Sequence, residues 1–388
     1  MLELLWLLLP VAAASGWIMA KRSGHNARRP VSREFSARYF QGLNFLLNEQ
    51  PDKAIEVFLG MVEIDRDTAE THLALGNLFR RRGEVDRAIR IHQNLIARPT
   101  LSKEQRSAAL LELGQDYMRA GWLDRAESLF EELLEGNVHR LPALRHLLDI
   151  YQQEKEWDKA IEVARRLDSE GGQAMKPVIA QFHCELAERA LKQGDEAQAG
   201  QLIKRALGFD RRCVRASILQ GRMAMRAGNG KAALKSFREV ADQDIEFLPE
   251  VLEPMHQCHE QLNTTTEFAD YLQTVIEHYD GVSPMLMLTE LLLESRGETV
   301  ATEFLTEQVR KRPSVRGLGR LIDLDLAAAS GKSKDDLLIL RALVTQLLQG
   351  KPVYRCIHCG FDGKSLHWQC PTCKEWNTVK PIHGVEGE

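Results

Sequence analysis

Four of the seven cysteines form two C-x2-C pairs near the end of the sequence. Cys356 and Cys359 make the first pair, Cys370 and Cys373 make the second, and ten residues lie between the pairs. Each short turn can point two thiolates to one side, so the pairs could converge on one tetrahedral metal ion. Four thiolates complete the coordination of such an ion, which predicts a structural metal. Sulfur ligands suit zinc or iron, and spacing alone does not distinguish them.

The residues around these pairs favour tight turns. Gly360 can adopt the left-handed conformation that such a turn requires, and Pro371 fixes the backbone of the second turn. We expect Trp368 and Trp376 to cover the metal, because so small a module needs an ion and a few large apolar side chains to fold. A redox-active dithiol or a pair of disulfides is the alternative, and a cytoplasmic location disfavours the disulfides.

A repeated unit precedes the cysteine pairs. In a clear copy, Gly76 and Phe79 stand before Ala88. The alanines of six aligned copies are Ala54, Ala88, Ala126, Ala160, Ala199 and Ala233. Three of the five steps between them are 34 residues, the period of tetratricopeptide repeats (TPR). The spacing predicts an all-α fold, a TPR solenoid of antiparallel helix pairs over residues 35–245, with divergent TPR-like hairpins over 246–350 and the metal module over 351–388.

The first helices of a TPR array line a concave groove that binds segments of other proteins. The helical register predicts that this groove is lined by Asn77, Arg80, Arg81, Gln115, Arg119, Arg145, Arg215, Arg222 and Arg226. The excess of arginine favours a partner surface that carries carboxylates. The alternative is a charged helix face that is only solvated.

The chain begins with an apolar segment. Residues 2–20 contain a single charged residue, Glu3, and nineteen residues just suffice to cross a bilayer as a helix. Basic residues then dominate residues 21–38, and the positive-inside rule places the rest of the chain in the cytoplasm. We predict a single-pass transmembrane anchor at 1–20 and a basic juxtamembrane segment at 21–34. A cleaved signal peptide and a buried soluble helix are the alternatives.

Composition narrows the function further. The 388 residues carry 51 basic and 55 acidic side chains, a net charge of −4 that gives no electrostatic reason to bind nucleic acid. Aromatic residues make up only 6% of the chain and helix-favouring residues dominate, which disfavours a large β-sheet enzyme. The sequence contains no phosphate-binding loop, HExxH, G-x-S-x-G or kinase signature, so we expect no catalytic site. Cys184, Cys213 and Cys258 stand alone in helical patterns and are predicted to be small core residues.

The order of these parts is more specific than any one of them. Together with the segments MLELLWLLLPVAAA, LGNLFRRRGEVDRAIRIHQ, YRCIHCGF, WQCPTCKEW and KPIHG, it resembles the lipopolysaccharide assembly protein B (LapB, or YciM) family over essentially the whole chain. The resemblance implies a protein of the bacterial inner membrane that restrains lipopolysaccharide synthesis. In that role it is an adaptor that presents the deacetylase LpxC to the membrane protease FtsH for degradation.

The same resemblance implies further partners and a metal. It implies an interaction with the membrane protein PbgA (YejM) through the anchor and the adjoining segment. It also implies a rubredoxin-like module, which favours iron over zinc at the four cysteines. We expect this module to fold back on the last repeats, where it completes a partner surface or caps the apolar end of the array. Homo-oligomerisation stays open, and so do two other functions: a general TPR scaffold for membrane complexes, and a redox protein that uses the iron site.

Overall fold

The structure is a computed structural model that describes residue 17 and residues 31–48, 50, 53–54, 56–58, 69–99, 101–171 and 174–388. Among these residues, no helix combines the length and the apolar composition that crossing a bilayer requires. The anchor predicted at 1–20 lies outside the described residues, except for Trp17. The basic segment predicted at 21–34 lies outside them as far as residue 30.

Helices make up most of the described chain as far as residue 348. In order they are α1 (Val31–Leu47), α2 (Ala69–Arg81), α3 (Val85–Ile96), α4 (Lys103–Ala120), α5 (Leu123–Glu135), α6 (Arg140–Glu154), α7 (Trp157–Ser169), α8 (Lys176–Lys192), α9 (Glu196–Phe209), α10 (Val214–Arg226), α11 (Gly230–Gln243), α12 (Pro249–Leu262), α13 (Thr265–His278), α14 (Ser283–Arg296), α15 (Glu298–Lys311), α16 (Val315–Ala328) and α17 (Lys332–Leu348). A short 3-10 turn, Ile245–Phe247, precedes α12. The chain divides within α6 into two compact units, residues 1–150 and 151–388.

Short turns join the helices into the expected pairs. Gly83, Gly121 and Gly194 lie between consecutive helices. Their φ angles are 83°, 78° and 83°, in the left-handed region that glycine adopts without a Cβ clash. The six repeat alanines are fully buried, which fits their predicted place between packed helices.

A ring from the second helix of a pair packs on the glycine of the first. In each of four pairs an added Cβ at the glycine would lie closer than 3.0 Å to a ring sixteen residues later. The pairs are Gly42 with Phe58, Gly76 with His92, Gly114 with Phe130, and Gly221 with Phe237. The ring therefore fills the space that a larger side chain on the first helix would need.

The second unit contains α7–α17 and a small module at its end. An apolar cluster of this unit runs from α10 to α16 around the fully buried rings of Phe237, Phe247 and Phe268. The segment predicted as divergent hairpins over 246–350 consists of three helix pairs, α12–α13, α14–α15 and α16–α17. Cys184, Cys213 and Cys258 are buried, as predicted.

The module following α17 is built on a three-stranded antiparallel sheet. Its strands are β1 (Tyr354–Cys356), β2 (Asp362–Gly363) and β3 (Val379–Pro381), and β1 lies between the other two. Tyr354 is paired with Gly363 on β2 and with Pro381 on β3. The strands have only two or three residues each, so backbone pairing alone stabilises the sheet little.

Candidate metal centre and partner groove

Two tight turns bring the four cysteines of the module together. The first begins where β1 ends, and the Gly360 N–H donates to the Cys356 carbonyl at 2.9 Å. The second repeats this arrangement, with the Lys374 N–H donating to the Cys370 carbonyl at 3.0 Å. Gly360 and Lys374 have positive φ angles of 77° and 62°, so Gly360 adopts the predicted left-handed conformation. All four sulfur atoms lie within 4.8 Å of one another.

The sulfur positions fit a single tetrahedral ion. Cys356 Sγ lies 3.7 Å from Cys373 Sγ, and Cys359 Sγ lies 3.6 Å from Cys370 Sγ. A metal–sulfur distance of about 2.3 Å places the sulfurs of a tetrahedron about 3.8 Å apart. The module is therefore a four-cysteine metal-binding module, and its geometry suits zinc and iron equally.

The clustered thiols change one another's pKa. Burial raises the pKa of Cys356, but hydrogen bonding with Thr378 and with two backbone N–H groups outweighs burial and lowers it to about 6. Burial and the three neighbouring thiols raise the pKa of Cys373 to about 12. Cys356 therefore loses its proton readily and Cys373 keeps its proton at neutral pH, and a bound cation would favour the thiolate form of Cys373.

The two tryptophans of the module pack on helices of the second unit. Trp368 stacks on Phe247 with ring centroids 5.2 Å apart, and Trp376 meets Trp157 and Phe182 edge-on at 6.1 and 5.8 Å. The apolar residues around the buried cysteines are instead Val379, Tyr354, Phe361 and Leu366. The prediction that the tryptophans cover the metal was wrong, because the helices offer them larger aromatic surfaces than the module does.

Polar contacts fix the module at the same places. The Gln152 side-chain oxygen accepts from Gln369 Nε2 at 3.1 Å and from the Trp376 indole N–H at 2.9 Å. The Lys380 ammonium pairs with Asp244 and lies 4.0 Å from the centre of the Phe247 ring, a cation–π contact. These contacts satisfy polar atoms that docking removes from water.

The helical face that receives the module carries further acidic residues. His383 Nε2 lies 2.5 Å from Glu246 Oε2, and the Tyr354 hydroxyl donates to Glu250. Burial and the Glu250 carboxylate raise the pKa of Tyr354, so this hydroxyl keeps its proton at neutral pH. The docking is therefore a match between basic and aromatic groups of the module and acidic and aromatic groups of the helices.

The module does not cap the last helix. The contacts of residues 351–388 with the helices run from Gln152 in α6 to Arg316 in α16. Helix α17 keeps five large apolar side chains exposed: Leu338, Ile339, Leu340, Leu343 and Leu347. The expectation of a cap was wrong, because the aromatic and acidic residues that match the module lie on earlier helices.

In the first unit, the predicted groove residue Arg80 is held by acidic side chains of the next pair. It binds Glu112 at 2.5 Å and Asp116 at 2.8 Å, and the buried Asp116 carboxylate also lies 2.5 Å from His92 Nδ1. Arg80 thus links α2 to α4, and its charge is largely compensated within the unit.

The other groove residues of this unit differ in exposure. Asn77 and Gln115 are half-buried, and the structure shows no hydrogen-bond partner for Asn77 Oδ1 among the described residues. The exposed groove residues of this unit are Arg81, Arg119 and Arg145.

In the second unit, the predicted groove residue Arg215 lies beneath the module. Its guanidinium binds Glu185 and Glu188, both at 2.8 Å, and lies 5.7 Å from the centre of the Trp368 ring. Only 3% of its side chain is exposed. The two remaining groove residues, both exposed on α10, are Arg222 and Arg226.

The residues that receive the module were missed by sequence reasoning. They include Gln152, Trp157, Phe182, Asp244, Glu246, Phe247 and Glu250. One signal was present: five acidic residues lie between residues 242 and 253, while the module carries lysines and an arginine. Almost 100 residues, 254–350, separate the two segments, so charge alone could not pair them.

Known proteins match both parts of this architecture. Models described as tetratricopeptide repeat match residues 71–106, 111–174 and 184–246, and a model described as rubredoxin metal binding domain matches residues 354–381. Among solved structures, MamA (residues 41 to the end) from Desulfovibrio magneticus RS-1 has a TM-score of 0.35 and 14% identity, covering 46% of this chain and 97% of its own.

Two relatives match this chain from end to end. Lipopolysaccharide assembly protein B of Escherichia coli (strain K12) is 44% identical over 388 residues, with 100% of both chains covered. The protein of the same name from Haemophilus influenzae is 36% identical over 395 residues, again with 100% of both covered. Because this similarity includes the repeats and the cysteine module together, the chain belongs to the lipopolysaccharide assembly protein B family.

Proposed function

We propose that the protein is a membrane-anchored cytoplasmic adaptor that regulates lipopolysaccharide synthesis by promoting degradation of the deacetylase LpxC by the protease FtsH. The observation that carries this proposal is the 44% identity, over the full chain, to a lipopolysaccharide assembly protein B. Stacked helix pairs support it, since such arrays present extended surfaces to other proteins. Adaptor and protease in one membrane meet at high effective concentration, so modest contacts suffice for delivery.

The proposal assigns a role to each part of the chain. Residues 1–20 span the inner membrane once, residues 21–34 face its cytoplasmic side, and PbgA is contacted through these two segments. Residues 35–245 are TPR hairpins and residues 246–350 are divergent ones, which together bind protein partners. Residues 351–388 form the metal module.

The module holds one structural metal ion through Cys356, Cys359, Cys370 and Cys373. We propose iron because the module resembles rubredoxin, and zinc is the alternative. When bound, the ion supplies the cross-link that keeps the two turns closed. The chain's own residues do the rest: the tryptophans and Lys380 hold the closed module against the helices.

The partner groove is proposed to bind acidic segments. Its solvent-facing cations are Arg81, Arg119, Arg145, Arg222 and Arg226, and Asn77 and Gln115 supply amide groups between them. Arg80 and Arg215 were predicted to line the same groove, but each forms salt bridges with carboxylates of its own unit. They position their helices, and the exposed arginines contact the partner.

Deleting residues 1–20 tests the tethering. In cells that depend on the tested copy, we expect LpxC to persist several-fold longer with the deletion variant than with the full chain. A matched control replaces residues 1–20 with an unrelated single-pass helix of the same orientation, which should restore turnover. A soluble variant that restores normal LpxC turnover would contradict the adaptor mechanism.

A general assembly scaffold is the second candidate, and the name of the relatives favours it. The two functions differ in the proteins found beside the chain. Crosslinking of the membrane-bound full chain, followed by mass spectrometry, should identify the protease and the deacetylase if the adaptor role is right. A scaffold would instead yield components of a transport or synthesis complex, without LpxC stabilisation on deletion.

A further inference from the structure

Residues 384–388 form a short segment that lies over the beginnings of α14 and α16. The Val315 N–H, at the start of α16, donates to the Val385 carbonyl at 2.7 Å. The Glu388 N–H returns to the Ile382 carbonyl at 2.6 Å, which closes a tight loop. An added Cβ at Gly387 would overlap the Ile382 carbonyl, so the loop requires glycine there. The segment therefore reaches helices far from the cysteines.

The Glu388 side chain is bound as a ligand would be. Its carboxylate accepts from the Ser283 backbone N–H at 2.8 Å, from Ser283 Oγ at 2.6 Å and from Arg316 Nη1 at 3.0 Å. Only 5% of this side chain is exposed. Ser283 is the first residue of α14, where the unsatisfied N–H groups and the helix dipole favour an anion. The two residues that donate these hydrogen bonds, Ser283 and Arg316, belong to helices and not to the segment itself.

An apolar cavity adjoins this carboxylate site. It has a volume of about 290 Å³. Its apolar wall is formed by Ile276, Val282, Met285 and Pro313, and the 384–388 segment lines its mouth. Val385 contributes to that lining but is 56% exposed, so its short side chain leaves much of the cavity unfilled. A longer aliphatic side chain at the same position would bury more apolar surface.

The segment is fastened at few points. Apart from Glu388, its contact with α16 is the single backbone bond of Val315, and Glu386 pairs with Lys351 where both side chains are about half exposed. Two of its five residues are glycines, whose backbone loses the most freedom when it is ordered. The carboxylate site is thus complete on the helices, while the segment that fills it makes few contacts with them apart from Glu388.

We propose that the starts of α14 and α16 form a binding site for acidic peptide segments of other proteins, which residues 384–388 occupy and such a segment displaces. The preferred ligand has an aliphatic residue three positions before a glutamate, the spacing of Val385 and Glu388. Leucine or methionine at the aliphatic position reaches further into the cavity than valine. Partner segments with those residues therefore compete successfully with the chain's own segment.

A peptide-binding measurement on the detergent-solubilised full chain tests this site. The probe is a fluorescein-labelled, C-terminally amidated peptide of sequence IHGLEGE, which follows residues 382–388 with leucine in place of valine. We expect the Glu388→Gln chain, whose own segment is released, to bind this probe at least tenfold more tightly than the unmodified chain. A second probe, IHGLEGQ, should bind at least tenfold more weakly than the first.

The companion variant combines Glu388→Gln with Arg316→Gln. The second substitution removes a hydrogen-bond donor of α16, so this variant should lose the tighter binding of IHGLEGE that Glu388→Gln alone gains. Metal content and circular dichroism of each variant establish that the module and the helices stay folded. Equal binding of IHGLEGE by the unmodified and Glu388→Gln chains would overturn the proposal. So would tight binding that survives in the Arg316 variant or that does not require the glutamate of the probe.

Discussion

At the scale of single residues, the module separates two tasks. The cysteines enclose one point with sulfur atoms, while Trp368 and Trp376 turn outward and attach the module to helices. Metal binding and docking can therefore be impaired independently. We therefore expect substitutions of the cysteines and of the tryptophans to have different effects, although these residues lie only a few positions apart.

Replacing Cys356 and Cys359 by serine should empty the metal site. We expect metal content to fall from one ion per chain to nearly none, because two thiolates cannot hold a tetrahedral ion tightly. Elemental analysis of the purified chain measures this, and proteolysis between residues 354 and 381 should become fast. The matched control is Cys258→Ala, which replaces a buried cysteine of α12 outside the sulfur cluster. This variant should keep its metal ion.

Replacing Trp376 by alanine should loosen docking while the ion stays bound. The substitution removes two ring contacts and the hydrogen bond to Gln152. Because Trp376 is half-buried, we expect the loss to be smaller than the about 3–5 kcal/mol of a fully buried aromatic. Limited proteolysis should cut between α17 and β1 sooner than in the unmodified chain. Trp122→Ala, at a tryptophan that is 43% exposed, is the control and should not change this cleavage. Simultaneous loss of metal would show that docking and metal binding are one event.

His183 makes the stability of the second unit depend on pH. This buried residue of α8 stacks on Phe209, and burial together with Arg165 and Arg205 lowers its pKa to about 4. As pH falls below about 6.5, the unfolded chain takes up a proton that the folded chain refuses, so stability is lost down to about pH 4. At pH 5 the loss due to this residue is about 2 kcal/mol.

The variant His183→Gln removes that titration. We expect its melting temperature to fall less between pH 7 and pH 5 than that of the unmodified chain, although it starts lower. The other histidines contribute equally to both chains, so the difference between the two slopes reports on this site. Parallel slopes would show that His183 does not control the acid sensitivity.

At the scale of helix pairs, size is matched across each hairpin. Gly114 receives the ring of Phe130, whereas Ala187 has the same sixteen-residue spacing to Ile203, and both members of that pair are buried. A larger residue on the first helix thus accompanies a smaller one on the second. In these two pairs the combined size of the two residues stays similar while the identity of each residue changes.

The substitution Gly114→Ala should cost about 1–3 kcal/mol, because the new Cβ would meet the Phe130 ring. Adding Phe130→Ile to it should recover part of that loss, since the pair then resembles Ala187 and Ile203. Thermal unfolding of the two single variants and the double variant gives the coupling. Strictly additive losses would argue against volume matching at this position.

The repeat pattern predicted helix pairs and turns well because both depend on local residues. Gly83 and Gly121 signal turns by themselves, and the buried alanines recur at a fixed period. The cysteine turns were predictable for the same reason. The docking of the module was not, because the partners of Trp376 are more than 190 residues away and have no fixed period. The salt bridges of Arg80 with Glu112 and Asp116 could not be predicted, because helical register gives the direction of a side chain but not its neighbours.

At the scale of the whole molecule, the proposed groove function predicts the effect of charge. Changing Arg81, Arg119 and Arg222 together to glutamate should weaken capture of LpxC at least tenfold, because each exposed cation becomes a repulsive anion. Co-precipitation of LpxC at several salt concentrations measures the effect. A control with the same change in charge uses three exposed residues of second helices: Arg90, Lys204 and Lys231. Equal weakening by both triples would point to net charge rather than to the groove.

The contact between Gln152 and Trp376 spans 224 positions of the chain. A ribosome therefore exposes Trp157, Phe182 and Phe247 long before the residues that cover them have been synthesised. A messenger that ends early, anywhere before codon 354, would yield helices with a bare aromatic and acidic face. Such fragments should aggregate and be degraded quickly. The amount of folded protein in the cell should therefore depend on how often translation reaches the end of the module.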